Sequence, residues 1–145
     1  LGDNGYVYFD TLGRLSWIES TIPAMGGTDT MSGGAGDDVM IGGFSGDTLL
    51  GGAGNDALLG DAGRAVYING LVRLVESIDP FIGNPDYLDG GAGSNVIIGG
   101  DGADLVVGSL DNDVLAGEYA SVEFDVAGNV TSVIRYGVKD DLIAD

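Results

Sequence analysis

The sequence predicts an all-β protein built as a parallel β-solenoid of nine-residue repeats, interrupted by β-hairpin segments. A nine-residue block with a glycine turn, an aspartate and a short aliphatic strand recurs along the chain. Segments with hairpin signals separate the sets of blocks. The 145 residues include 28 glycines, yet the hydrophobic content of 44% argues against a permanently disordered chain.

The blocks occur in two sets with the same internal order. The blocks begin at Gly33, Gly42 and Gly51 in the first set and at Gly90, Gly99 and Gly108 in the second. Asn95 stands 57 positions after Asp38, the equivalent residue of the first set. A half-block precedes each set at Asp29 and Asp86, and Asp141 begins a third.

Each set is preceded by a segment that reads as a hairpin. The clearest has the type I′ turn signal Asn69-Gly70 between Val66-Tyr67-Ile68 and Leu71-Val72-Arg73-Leu74. We interpret the chain as a single repeat domain, 1–145, and as a fragment of a longer repetitive protein. Its predicted segments are hairpins at 1–23, 60–83 and 117–137, rolls at 24–59 and 84–116, and the start of the next roll at 138–145. The second hairpin segment is expected to interrupt the ladder of strands at residues 60–85.

The aliphatic triplet of each block predicts a short parallel strand. Side chains alternate along a strand, so the middle residues of the triplets should point the same way, towards the core. These residues are Met40, Leu49, Leu58, Ile97, Val106 and Leu115. Strands stacked alternately in two sheets would make one solenoid coil from two blocks.

Stacked coils would bring equivalent aspartates together in pairs, with Asp29 above Asp47, Asp38 above Asp56, and Asp86 above Asp104. Two carboxylates about 4.8 Å apart repel by roughly 3 kcal/mol at an effective dielectric constant near 20. A divalent cation between them reverses the sign. Carboxylate and carbonyl oxygens, without nitrogen or sulfur, favour calcium over transition metals, and calcium tolerates irregular geometry better than magnesium. The simpler alternative, that aspartate favours turns beside glycine, does not explain its recurrence in one slot.

Composition excludes several classes of function. The formal net charge is −18, with five basic residues, which disfavours a nucleic-acid partner. The chain has no cysteine and no histidine, which excludes thiolate metal sites and histidine-based catalytic triads. No apolar run approaches the roughly 20 residues that span a membrane. We therefore expect no enzymatic activity within these residues.

The blocks resemble the RTX, or haemolysin-type, calcium-binding nonapeptide repeat. This resemblance implies a right-handed parallel β-roll with several calcium ions held between consecutive turns. It implies that the ligands are the aspartate carboxylates and the carbonyl groups of the second and fourth glycine positions. Carried over to this chain, the ligands are Asp29, Gly34, Gly36, Asp38, Gly43, Ser45, Asp47, Gly52, Gly54, Asp56, Asp86, Gly91, Gly93, Gly100, Gly102 and Asp104, with Ser109, Asp111 and Asp113 as looser matches.

Several positions depart from the repeat pattern. Asn95 replaces a ligand aspartate, so its site loses one charge. Asp61, with its equivalents Asp3 and Glu118, is interpreted as a solvated turn residue, the alternative being a substitute ligand.

Many residues beside the core aliphatic are also apolar, and we expect the aromatic hairpins to cover them. The residues to be covered are Val39, Ile41, Leu50, Leu59, Val96, Ile98, Leu105, Val107 and Val114. The aromatic residues expected to cover them are Tyr8, Trp17, Tyr67 and Phe124. The alternative is an exposed apolar patch for neighbouring modules.

The resemblance implies a calcium-binding structural module that folds on binding extracellular calcium. The host would be a larger secreted or cell-surface bacterial protein, such as an adhesin or toxin, exported by type I secretion. The alternative is an accessory domain of a secreted enzyme such as a protease, lipase or epimerase. The expected partners are calcium and neighbouring repeats of the same polypeptide, and the fragment is expected to be a monomer.

Overall fold

The computed structural model describes residues 1–21, 25–79 and 83–136, and these form fourteen β-strands without a helix. The predicted all-β class is confirmed. No helix in this part of the chain is long and apolar enough to cross a membrane. The predicted third set at Asp141 lies outside the described residues.

In chain order the strands are β1 (Gly5–Phe9), β2 (Leu15–Ser20), β3 (Thr30–Ala35), β4 (Val39–Ile41), β5 (Thr48–Ala53), β6 (Ala57–Leu59), β7 (Gly63–Ile68), β8 (Leu71–Ser77), β9 (Tyr87–Ala92), β10 (Val96–Ile98), β11 (Leu105–Val107), β12 (Val114–Ala116), β13 (Tyr119–Phe124) and β14 (Val130–Tyr136).

The nonapeptide blocks form two parallel four-stranded sheets. The outer roll sheet has the spatial order β3-β5-β9-β11, and the inner roll sheet has the order β4-β6-β10-β12. The chain alternates between the two sheets, so two blocks make one coil. The strands β3, β5 and β9 have six residues each because they extend through the paired glycines, whereas the sequence predicts triplets throughout.

The two sets of blocks form one continuous ladder. Strand β5 pairs with β9 and β6 with β10, and these pairs align Leu49 with Leu88 and Leu58 with Ile97. The prediction that residues 60–85 interrupt the ladder is therefore wrong. A hairpin returns close to its starting point, so the chain can leave the roll and rejoin it on the next rung.

The hairpins form a third sheet, the hairpin sheet, with the antiparallel order β1-β2-β7-β8-β13-β14. Consecutive hairpins pair through β2 with β7 and through β8 with β13. In the turn between β7 and β8, Asn69 and Gly70 have φ values of 57° and 79°, as a type I′ turn requires. Arg73 also joins two hairpins by donating to the carbonyl oxygen of Asp125 at 2.8 Å.

Two apolar clusters separate the three sheets. The first fills the roll and contains Met40, Leu49, Leu58, Leu88, Ile97 and Val106, with Met31 and Leu115 packed against it. The inward direction predicted for the middle aliphatics is therefore observed. The second cluster lies between the inner roll sheet and the hairpin sheet and includes Ile41, Leu59, Val75, Ile98 and Val122.

The predicted cover over the flanking apolar residues holds for one sheet only. On the inner roll sheet the hairpins cover all six such residues, which are Val39, Ile41, Leu59, Val96, Ile98 and Val114. On the outer roll sheet Leu50 and Leu105 are 36% and 46% exposed, and Val107 belongs to neither cluster, so the prediction is wrong there. The hairpins emerge from the ends of the inner strands and therefore fold back over that sheet alone.

The four aromatic side chains expected to form the cover divide into two pairs. Tyr67 and Phe124 pack against the second cluster. Tyr8 and Trp17 do not, because they point outward and contact each other with ring centroids 5.6 Å apart. Between the hairpin sheet and the inner roll sheet lies a cavity of about 860 Å³, lined by residues that include Phe9, Tyr67 and Asp56.

Candidate metal centres

Stacking of the coils gathers the block aspartates into two columns, one along each edge of the roll. The hairpin-side column lies where the chain passes from the inner to the outer roll sheet, and the hairpins are inserted there. It contains Asp29, Asp47, Asp86 and Asp104. The opposite column lies where the chain returns to the inner roll sheet. It contains Asp38, Asp56, Asn95 and Asp113.

Within each column, one side-chain oxygen binds the backbone of an adjacent coil. The N–H of Asp29 donates to Asp47 Oδ1 at 2.7 Å, and that of Asp38 donates to Asp56 Oδ1 at 2.9 Å. The N–H of Asp86 donates to Asp104 Oδ1 at 2.9 Å. The predicted stacking of these three pairs is therefore observed.

The hairpin-side column also continues across the inserted hairpin. The N–H of Asp47 donates to Asp86 Oδ1 at 2.7 Å, although the two residues are 39 positions apart. This link was not predicted, because the sequence places a hairpin segment between the two residues. The backbone ladder therefore holds all four aspartates of the column in one series.

The second carboxylate oxygen of several column residues is buried and lacks a hydrogen-bond partner among the described residues. These oxygens are the Oδ2 atoms of Asp38, Asp47, Asp56 and Asp86. Leaving a buried acceptor unsatisfied costs about 1–3 kcal/mol, and more for a charged group. Cations bound in the turns would satisfy these oxygens, so their burial without a partner fits cation sites in both columns.

The first glycine of each block makes room for that oxygen. A β-carbon at Gly33 would lie 2.5 Å from Asp38 Oδ2, and one at Gly51 would lie 2.5 Å from Asp56 Oδ2. Both distances are too short for a real contact. Glycine is therefore required where each carboxylate folds back over its own turn.

The second and fourth positions of a block adopt left-handed backbone conformations. Gly52 and Gly54 have φ values of 107° and 141°, and Ser45 follows with 80° although it is not glycine. In the last block these positions are Ser109 and Asp111, and neither appears among the described residues with positive φ. The turn that precedes Asp113 therefore departs from the common geometry, and the ligand assignment of Asp111 rests on sequence alone.

Asn95 shows what the turn carbonyls require. Its Oδ1 accepts the Asp56 N–H at 2.9 Å, and its Nδ2 donates to the carbonyl oxygens of Gly91 and Gly93 at 3.3 and 3.1 Å. The two carbonyls are those that the repeat pattern assigns to calcium. Here an amide N–H₂ group occupies the place of the second carboxylate oxygen and satisfies them. An aspartate in the same position has no N–H group to donate, so a cation would be needed to join its carboxylate to such carbonyl oxygens.

Burial raises the pKa of three of the stacked carboxyl groups, Asp47, Asp56 and Asp86. Burial is the main cause for Asp47, with a pKa of about 6, and for Asp86, with a pKa of about 8; neighbouring aspartates raise both further. The pKa of Asp56 is raised for the same reasons. The two ion pairs of the described residues join Arg14 to Asp10 and Arg64 to Glu76, both within hairpins. Neither of these pairs involves Asp47, Asp56 or Asp86.

These pKa shifts predict that, without a cation, low pH should partly stabilise the fold, because protonation removes the charge of the buried carboxylates. The folded-state pKa values of Asp47 and Asp86 lie above 3.8, so the cation-free folded chain binds more protons than the unfolded chain between about pH 4 and 8. The stability contributed by protonation of Asp47 and Asp86 is complete below pH 3.8. It is lost as the pH rises through their folded-state pKa values of about 6 and about 8. In calcium-stripped buffer, far-UV circular dichroism should show more β-structure at pH 5 than at pH 8. Equal spectra at the two pH values would contradict this prediction.

Asp61 is buried, contrary to the interpretation that it is a solvated turn residue. It is 2% exposed, and its Oδ1 lacks a hydrogen-bond partner among the described residues. Its Oδ2 accepts the backbone N–H of Asp101 at 2.5 Å. Burial, together with the neighbouring charges of Asp86 and Asp104, raises its pKa to about 9. One sequence signal could have indicated that Asp61 is buried. Asp61 stands at the position of the second glycine of a block, which belongs to a stacked turn.

The donor set fits a hard cation such as calcium. In the described part of the chain, no three acidic side chains converge closely enough to hold an ion by themselves. Any site therefore needs backbone carbonyl oxygens together with carboxylates, which is a donor set that calcium accepts. The turns supply both, because the carbonyls of the left-handed positions and the aspartates belong to the same loops. The assignment of individual residues as calcium ligands remains a prediction.

Comparison with known proteins agrees with this chemistry. Residues 23–58 and 83–115 match the family model of the RTX calcium-binding nonapeptide repeat (4 copies). No curated protein and no solved structure matches the chain. RTX repeats are calcium-binding structural elements, not catalytic ones, and they are typical of secreted bacterial proteins. The two matched stretches, which build the roll and carry both aspartate columns, are RTX calcium-binding nonapeptide repeats.

Proposed function

We propose that this chain is a structural module whose roll folds on binding extracellular calcium, within a larger secreted or cell-surface bacterial protein. The observation that carries the proposal is the burial of the Oδ2 atoms of Asp38, Asp47, Asp56 and Asp86, which have no hydrogen-bond partner within the described residues. Binding energy gained by closing these sites becomes folding energy, because an unfolded chain does not hold the ligands together. The proposed ligands are the block aspartates and the carbonyl groups of the second and fourth positions.

The strongly negative net charge of the chain has a role in the proposed function. With a net charge of −18, the chain repels itself where calcium is scarce, as it is inside cells. An unfolded, flexible chain suits export by type I secretion, and calcium outside the cell would then fold it. Stacked units with a continuous ladder favour a long repetitive protein of the adhesin or toxin type. An accessory domain of a secreted protease, lipase or epimerase is the second candidate, and the full-length sequence would decide between them.

Asp47→Asn tests the ligand role of the columns. Asparagine keeps the acceptor for the Asp29 N–H, and the Asn95 turn shows that its amide can satisfy the turn carbonyls. The fold should therefore survive with at least one calcium ion fewer per chain. Isothermal titration calorimetry gives the ion number, and the dependence of folding on calcium concentration checks it, because the slope reports ions taken up.

Asp101→Asn is the matched control for Asp47→Asn. Asp101 is exposed, lies in the equivalent turn of the second set, and loses the same charge on substitution. Its ion number should equal that of the unmodified chain. An unchanged ion number in Asp47→Asn would contradict the ligand role of Asp47, and absence of any calcium binding by the unmodified chain would contradict the proposed function.

A further inference from the structure

The hairpin sheet and the inner roll sheet pack closely at the hairpin roots and leave a cavity between them at the hairpin tips. Ile41, Leu59 and Ile98, the last residues of their inner strands, are buried beneath the roots. The cavity of about 860 Å³ lies over the opposite ends of the same strands, where they leave the turns of the opposite column. Residues near all three hairpin tips line it, such as Gly70 and Gly128. We call this space the tip cavity.

The floor of the tip cavity is apolar. It is formed by Val39, Ala57 and Val96, which are the first residues of β4, β6 and β10 and lie side by side in register. Ala57 is the smallest of the three. The middle of the floor is therefore the point where a side chain larger than alanine would enter the cavity.

The roof of the tip cavity is also apolar, and each hairpin contributes to it. Phe9 comes from the first hairpin, Val72 from the second and Phe124 from the third. Small-molecule sites have volumes of about 300–1,000 Å³ and mostly apolar walls with a few polar groups. The tip cavity agrees with this description in both size and lining.

The mouth of the tip cavity carries a ladder of polar side chains on the roll. Asp37, Asn55 and Ser94 occupy the same position in three blocks, and all three are exposed. The N–H of Asn55 donates to Asp37 Oδ1 at 2.8 Å, and the N–H of Ser94 donates to Asn55 Oδ1 at 3.0 Å. A ligand with an apolar body would therefore place a polar head group beside this ladder.

The charges of the lining favour a cationic head group. Among the described residues that line the cavity, Arg14 is the one basic residue, and it is paired with Asp10 at 2.7 Å. The acidic residues are Asp37, Asp38 and Asp56. The last two are proposed calcium ligands, whereas Asp37 is not, so its charge at the mouth is available to a ligand. A negative mouth attracts a cation and disfavours an anion.

We propose that the tip cavity binds a small amphipathic cation, in which an ammonium group is attached to an apolar body. The body would lie between the floor and the roof, and the ammonium group would lie beside Asp37. This site goes beyond the proposed function, because it uses the hairpin cover and not the calcium ions. Its walls come from two different sheets, so only the folded chain would bind the ligand.

Three probes with the same naphthyl body test the class of ligand. They are 1-naphthylmethylammonium, 1-naphthylmethanol and 1-naphthylmethanesulfonate, each titrated by calorimetry in millimolar calcium into a chain that circular dichroism shows to be folded. We expect the ammonium probe to bind most tightly and the sulfonate least tightly. Equal affinities, or tighter binding of the sulfonate, would overturn the proposed ligand class. Absence of binding by all three probes at millimolar concentration would overturn the site.

Asp37→Asn tests the position of the ammonium group. Asparagine keeps the acceptor for the Asn55 N–H and removes the charge. The affinity for the ammonium probe should fall about two- to fivefold, as expected for an exposed ion pair, and that for naphthylmethanol should not change. Asp101→Asn is the control, because it removes the same charge from an exposed residue in a turn of the hairpin-side column. Equal losses in the two variants, or none in Asp37→Asn, would overturn the placement beside Asp37.

Ala57→Ile tests the position of the apolar body. The valines at the same position of β4 and β10 show that a branched side chain fits these strands, and isoleucine would fill part of the cavity. All three probes should bind more weakly. Tyr8→Ser is the control, because Tyr8 and Trp17 form an apolar surface on the outward face of the hairpin sheet.

Tyr8→Ser should leave the three affinities unchanged. Binding that is lost in Tyr8→Ser and kept in Ala57→Ile would assign the probes to the outward face and overturn the proposal. Should Ala57→Ile not fold, the comparison of Asp37→Asn with Tyr8→Ser decides between the two surfaces. These measurements need a folded chain and do not depend on whether calcium folds it, so the site and the proposed function can fail separately.

Discussion

Removal of calcium is expected to unfold most of the roll above about pH 8, where Asp86, with its raised pKa of about 8, is also ionised. Each stacked carboxylate pair about 4.8 Å apart repels by roughly 3 kcal/mol when no cation lies between its members. The columns contain four links between aspartates, which are Asp29–Asp47, Asp47–Asp86, Asp86–Asp104 and Asp38–Asp56. Their combined repulsion is comparable to the about 5–15 kcal/mol that stabilises a typical domain.

The measurement is far-UV circular dichroism of the chain in millimolar calcium and after addition of a chelator. We expect the β-signal to be lost with the chelator and regained when calcium is added in excess. Magnesium at the same concentration is the control and should restore little signal, because magnesium keeps its water and demands octahedral geometry. A β-signal that persists unchanged in the chelator would contradict calcium-dependent folding.

The second large effect is expected from Gly52→Ala, which places a side chain between two coils. Gly52 has a φ of 107°, and a β-carbon there would collide with the carbonyl group of Gly34 in the adjacent rung. The left-handed conformation alone costs an alanine about 1–2 kcal/mol, and the displaced rung should raise the total to about 2–5 kcal/mol. Urea unfolding in saturating calcium measures the loss.

Gly34→Ala is the matched control for Gly52→Ala. Gly34 has a similar φ of 97°, but a β-carbon there would meet nothing within 4 Å. Gly34→Ala should therefore cost only the conformational part, about 1–2 kcal/mol. If the two variants unfold at the same urea concentration, the close stacking of the coils does not limit stability at this position.

The nonapeptide pattern was sufficient to predict the roll. Glycine, aspartate and aliphatic residues recur at fixed positions, and the strand period then fixes which side chains face inward, as Leu49 and Leu58 do. The stacking of Asp38 on Asp56 follows from the same period. These features depend on local geometry repeated along the chain, which sequence reasoning treats well.

The arrangement of the hairpins could not be predicted in the same way. Whether residues 60–85 break the ladder depends on pairing between strands far apart in sequence, such as β5 with β9. The burial of Asp61 depends on the next coil, which supplies Gly100 and Asp101. Asp61 stands in the slot of a second turn glycine, but that slot does not reveal which residues of the next coil surround it, and the solvated interpretation of Asp61 is wrong.

Asn95 also has a role that its residue type alone does not reveal. The sequence presents it as the loss of a ligand, whereas its amide bonds the carbonyls of Gly91 and Gly93. The turn is therefore internally satisfied without an ion. It also removes one carboxylate from the opposite column, between Asp56 and Asp113, so this column carries less repulsion. Folding of this part of the roll should depend less on calcium than folding of the hairpin-side column.

The hairpin sheet covers the inner roll sheet only if the two sheets lengthen equally with each repeat, and this requirement limits the length of the repeat. Between hairpins the chain completes two coils, and each hairpin adds two strands, so both layers advance by about 9.6 Å. A hairpin in every coil would make the hairpin sheet grow twice as fast as the roll, and the layers would separate. A hairpin in every third coil would leave part of the inner roll sheet uncovered. The 57-position repeat from Asp38 to Asn95 therefore keeps the lengths of the parallel roll and the antiparallel hairpin sheet equal as repeats are added.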